Sequence, residues 1–135
     1  MRLDDISINP ESLEEGRWYD LPGGGRIKVG SIQSRRYQNA LTRLMKPYLR
    51  LQRAGSLGPD IRDKVTGQAL AEIIFDWEGI EENGSVVPFS RETARRLLTD
   101  RRYLKFMDLV ATLAAEDVED DEDALQDAEG NSPPG

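Results

Sequence analysis

The chain has 135 residues, 18 of them basic and 25 acidic, with no cysteine and no histidine. This excludes disulfides, a Ser-His-Asp triad and the usual zinc ligand sets, leaving carboxylates, Lys, Tyr, Ser and Thr for any catalysis. The net charge of −7 is unevenly placed: 18 bases and 16 acids precede Glu116, whereas residues 116–135 hold nine acids and no base.

The length suits one domain with tails. We divide it into a polar lead-in at 1–16, a folded domain at 17–115 and an acidic tail at 116–135. The lead-in lacks the apolar core of a signal peptide, and no apolar run approaches a membrane span. A soluble, cytoplasmic protein is therefore expected.

Taken in order, residues 17–32 read as a β-hairpin. Two β-favouring runs flank Pro22-Gly23-Gly24-Gly25, and Ile27 and Val29 alternate with Arg26 and Lys28. The glycines lack the Gly-Lys-Ser/Thr sequel of a phosphate loop. A first helix spans Ser34 to Ala54, capped by Ser34, with Tyr37, Leu41, Leu44, Met45, Tyr48 and Leu49 on one face. Pro47 should kink or divide it. Between Leu21 and Pro59 lie eight bases and no acid, including Arg35, Arg36, Arg43, Arg50 and Arg53. This basic face can meet nucleic acid or acids of a protein partner.

A second helix is expected from Asp60 to Trp77, with Ile61, Val65, Ala69, Ile73 and Trp77 in steps of four. Gly67 lies inside it. A polar loop with Asn83-Gly84 follows, then Val-Val-Pro-Phe-Ser, where Ser90 caps a short third helix ending at Leu97-Leu98. Trp77 and Phe89 are read as anchors between these helices, beside Ser90 and Leu97. After Thr99-Asp100, Tyr103, Phe106, Met107, Val110, Leu113 and Ala114 form an apolar stripe, suited to the core or to a partner face that uses Phe106, Met107 and Val110. The acidic tail is expected to be disordered. Its Glu119–Asp123 cluster lacks EF-hand spacing.

The fold class expected is mainly α: about four helices, an N-terminal β-hairpin and a disordered acidic tail. No cofactor, metal or catalytic residue is assigned. Asp76 and Glu78 flank Trp77 but form no recognisable catalytic pair.

One order of residues is distinctive. Ile74, Asp76-Trp77-Glu78-Gly79-Ile80, Gly84, Val87, Phe89-Ser90, Ala94, Leu97-Leu98, Phe106 and Ala114 follow one another in a pattern that resembles the tail assembly chaperones of tailed bacteriophages and prophages. The resemblance implies a helical, non-enzymatic protein. It would bind the tape measure protein, keep it soluble and help recruit major tail protein subunits. It would act in the host cytoplasm and be missing from the mature virion. Homo-oligomers are compatible with it, and a membrane role is not implied. The competing readings are a structural tail or connector component of the virion, or a nucleic-acid-associated regulator using the basic helix 34–54.

Overall fold

The computed structural model describes residues 1–116; the acidic tail beyond Glu116 lies outside the described residues. A 3-10 turn at Leu3–Ile6 and helix α1 (Pro10–Glu14) occupy the lead-in, with the Asn9 side chain accepting from the Glu11 N–H to cap α1. Strands β1 (Arg17–Asp20) and β2 (Arg26–Val29) pair antiparallel, so the expected hairpin is present. Ser34 caps α2 (Arg35–Met45) by accepting from the Tyr37 N–H. Pro47 divides the basic helix: a 3-10 turn at Lys46–Tyr48 separates α2 from α3 (Leu49–Arg53).

The mainly α reading is overturned at the next element. Helix α4 (Pro59–Ala71) stops before Ile73, and Ile74–Glu78 forms strand β3, paired antiparallel with β2. The described fold is mixed α/β, with a three-stranded sheet in the order β1-β2-β3. Gly58 occupies the N-cap position and Pro59 opens the helix, so Asp60 lies in the first turn instead of capping it.

A bulge explains why this strand reads as a helix. Lys28 faces Asp76 but Val29 faces Ile74, so Phe75 is an extra residue in β3. The bulge resets the alternation and leaves Ile74 and Trp77, three residues apart, both buried. Three-residue spacing imitates helical periodicity. The loop that follows also pairs, as β4 (Glu81–Glu82) with β5 (Ser85–Val86). Asn83 (φ 53°) and Gly84 (φ 80°) supply the two left-handed residues that such a tight turn needs.

Ser90 caps α5 (Arg91–Leu98), its hydroxyl accepting from the Thr93 N–H. Asp100 then caps a 3-10 turn at Arg101–Tyr103, which leads into α6 (Leu104–Ala114). The core joins Ile27 and Val29 of β2 to Ile74 and Trp77 of β3. Tyr37, Ala40, Leu70, Leu97, Leu98, Val110 and Ala114 cover them from the helices.

Helix α4 is central, packing on α2, α5 and α6, and its small residues permit this. A Cβ on Gly67 would lie 2.1 Å from the Leu98 carbonyl oxygen. Helix propensity alone favours alanine there by about 1 kcal/mol, but a backbone clash of this size costs more, about 1–3 kcal/mol from forced displacement. Gly67→Ala should therefore lower the unfolding midpoint in denaturant. A stabilised Gly67→Ala variant would contradict the close approach of α5.

Candidate partner-binding surface

The basic helix begins well anchored. The Glu14 carboxylate accepts from the Arg35 backbone N–H at 2.9 Å, placing negative charge at the N-terminus of α2. Arg36 reaches along the surface to the α4–β3 junction: its Nε donates to the Glu72 carbonyl, its charge lies 3.8 Å from the Glu72 carboxylate, and its guanidinium lies over the Phe75 ring. Tyr37 and Ala40 are buried, and Leu41 and Leu44 pack against the core.

Beyond Met45 the anchoring weakens. Three residues of 3-10 helix turn about 120° each where α-helix turns about 100°, so α3 is rotated by roughly 60° relative to a continuous helix. Leu49 leaves the inward stripe, and Leu49 and Leu51 are both 39% exposed. No residue of α3 is buried, and the helix packs chiefly on the 3-10 turn before it. Five residues of helix are marginal by themselves.

The charges follow the same division. Among the described residues, the side chains of Arg35, Arg43, Lys46, Arg50 and Arg53 make no ion pair or hydrogen bond, in contrast to Arg36. Residues 43–53 thus form an arm with exposed leucines and unpaired cations. Leu49, read on the inward stripe, lies on this surface instead, together with Lys46 and with Leu51, which the stripe did not include; Pro47 was the signal that the faces would change there.

The second proposed face is arranged differently. Met107 and Val110 are buried and Phe106 is half-buried, so a partner reaching the first two would have to open the core. Phe106 lines a cleft with Ile80, Leu97 and Tyr103, under Glu81 and Glu82. Trp77 is buried, its ring meeting Phe89 edge to face at 5.0 Å, and its indole N–H donates to the Val87 carbonyl at 2.7 Å. Trp77 therefore ties β3 to the approach of α5. Asp76 and Glu78 do not converge: Asp76 accepts from the Trp77 N–H, and Glu78 takes two bonds from Arg26. No group of three or more carboxylates among the described residues is placed to hold a metal.

Glu82 is the electrostatic hub beside the cleft. It accepts two bonds from Arg96, at 2.9 and 3.1 Å, and one from the Tyr103 hydroxyl at 2.7 Å. The Arg96 bond first, then the Tyr103 bond, hold its carboxyl down from 4.5 to about 2. A depressed carboxylate contributes stability that is present above its unfolded pKa and lost as pH falls through the folded one. Glu82→Gln should therefore melt lower than the parent at neutral pH. Its melting temperature should then fall less steeply between about pH 5 and pH 2, the curves converging at the acid end. Parallel curves would remove Glu82 from the acid response.

No helix of the described residues is long and apolar enough to cross a membrane. Searches of curated proteins and of solved structures return no match. The family model of the YdaY prophage protein matches residues 32–131, which include the arm, the β3–α5 region, α6 and most of the acidic segment. The match takes in well over half of the chain, and the chain belongs to the YdaY prophage protein family.

Proposed function

We propose that this prophage protein is a tail assembly chaperone. In this reading it binds the tape measure protein, keeps it soluble and helps recruit major tail protein subunits. It works in the host cytoplasm and leaves before the virion is complete. The observation that carries the reading is the arm: a partly detached α3 with exposed Leu49 and Leu51, edged by Arg43, Lys46, Arg50 and Arg53. A long amphipathic helix with acidic flanks is the partner chemistry that matches it. Burying the leucines contributes roughly 25 cal/mol per Å² before ordering costs, and the cations select for acidic neighbours.

Membership of a prophage family supports the setting, and the resemblance through Trp77-Glu78-Gly79-Ile80 and Phe89-Ser90 supports the role. The buried positions of Met107 and Val110 favour the arm over the α6 stripe as the contact.

Co-expression with a tape measure protein should raise that protein's soluble fraction and yield a complex on size-exclusion chromatography. Exposed charge pairs contribute about 0.2–1 kcal/mol each, so the triple reversal Arg43→Glu, Arg50→Glu, Arg53→Glu should weaken the complex by about tenfold or more. Its melting temperature should barely move, because these side chains have no described ion pairs to lose. A soluble parent chain that leaves the tape measure protein insoluble would overturn the proposal. So would detection of the chain in purified particles by mass spectrometry, which fits a tail or connector component instead. Salt-dependent DNA or RNA binding through the same arginines, without tape measure binding, would identify a nucleic-acid role.

A further inference from the structure

Four arginines meet one carboxylate where α2, α4 and α5 come together. Arg36 and Arg43 stand two turns apart on one side of α2, and Arg91 and Arg95 one turn apart on α5. Gln68 and Glu72 hold the same one-turn spacing, in α4 and at its C-cap. Three of the arginines are engaged. Arg91 donates to the Ala71 and Ile74 carbonyls, Arg36 to that of Glu72, and Arg95 pairs with the Glu72 carboxylate at 2.8 Å. The side chains of Arg43 and Gln68 make no ion pair or hydrogen bond among the described residues. Both line a cavity of about 220 Å³ with Leu44, Glu72 and Arg95. One carboxylate does not balance four guanidinium groups, and the uncommitted N–H donors of Arg43 and Gln68 border one space.

We propose that this cavity receives one acidic side chain of the client, its carboxylate accepting from Arg43 and from the Gln68 amide beside the Arg95 charge. The inference rests on the arm being the client site and adds what that site selects. Arg43 and Leu44 lie in the last turn of α2, directly before the 3-10 turn, so the cavity sits at the root of the arm. A carboxylate suits these donors better than an amide, because hydrogen bonds to an ionised acceptor are about twice as strong. It also suits the space: a water's share of liquid volume is about 30 Å³, so the cavity holds a carboxylate with several waters. Glu72 is no obstacle, since its two oxygens are turned to Arg95 and Arg36. Lys46, Arg50 and Arg53 attract any acid from a distance. The cavity discriminates, because a side chain without negative charge leaves the excess of arginine charge unbalanced.

The test uses the full chain and a fluorescent amphipathic peptide of Leu and Glu, in which each Glu is replaced in turn by Gln. One replacement should weaken binding about tenfold or more, as the loss of a hydrogen bond to a charged group does, and the others much less. Gln68→Glu fills the cavity with the protein's own carboxylate. This variant should lose a similar factor and no longer respond to the sensitive peptide replacement, the non-additivity of two groups in contact. It should melt no lower than the parent, because the new acid faces excess positive charge. Gln33→Glu, which adds the same charge on an exposed side chain before α2, should lose far less affinity. Arg43→Gln should reproduce both the loss and the insensitivity at an unchanged melting temperature, so the test stands even if Gln68→Glu folds poorly. A parent that binds no such peptide, glutamates that contribute alike, or an Arg43→Gln variant that keeps the sensitivity would overturn the inference. So would inorganic phosphate that saturates the cavity and leaves peptide binding unchanged, which marks a small-anion site instead. If the peptide behaves as expected while the tape measure protein fails to bind, only the chaperone reading falls. If that protein binds the parent and Arg43→Gln equally, only the cavity assignment falls.

Discussion

Helix α4 runs into strand β3 with only two residues between them, and the backbone carbonyls stranded at that junction must be satisfied. Two arginines from other elements do so. Arg91, at the start of α5, donates to the carbonyls of Ala71 and Ile74, and Arg36, in α2, donates to that of Glu72. No glycine ends the helix in a left-handed cap; Glu72 keeps helical geometry. The junction is thus held from outside, so α2, α4, α5 and β3 are fixed relative to one another at one point. Glu72 supplies the balancing charge, with Arg95 at 2.8 Å and Arg36 at 3.8 Å. Burial pushes its carboxyl up, but the Arg95 hydrogen bond and the charges of Arg95, Arg91 and Arg36 outweigh this and leave it below its ordinary value. Burial, and then the nearby Arg36 charge, lower the proton affinity of Arg91, though a guanidinium stays charged throughout the physiological range.

This node separates the molecule into parts of different character. The sheet and the helices around it bury or half-bury their large apolar side chains, Trp18 excepted, and Gly67 lets α5 pack on the backbone of α4. The arm stands outside that arrangement, its α3 without a buried residue. Regions with few buried contacts open at low free energy, which suits a surface that must adapt to a long partner. In the proposed chaperone role the body supplies rigidity and the arm supplies contact.

Much of this was legible from local chemistry. The alternation of Ile27 and Val29 marked the hairpin, Ser34 and Ser90 marked two helix starts, and Pro47 marked the division of the basic helix. Strand β3 was not legible, because the bulge at Phe75 gives Ile74 and Trp77 a helix-like spacing and continues the pattern of α4. Nor could the Arg36 and Arg91 contacts be read, since they depend on elements that meet only in the folded chain. The basic face was visible as a charge run, but its division into an anchored Arg36 and a free set from Arg43 onward follows from the geometry at the 3-10 turn. Phe106, Met107 and Val110 looked alike in the stripe, but where α6 packs against α4, α5 and β2 only Met107 and Val110 are buried and Phe106 stays half-exposed.

A body fixed at the α4–β3 junction presents residues 43–53 to a client. Hydrogen–deuterium exchange on the full-length protein, alone and mixed with purified tape measure protein, tests this most directly. Slow exchange is expected across residues 67–77 in both samples and rapid exchange across residues 46–53 in the free protein, slowing at least tenfold in the mixture. Client-dependent slowing confined to residues 80–106, or fast exchange across residues 67–77 in the free protein, would contradict it.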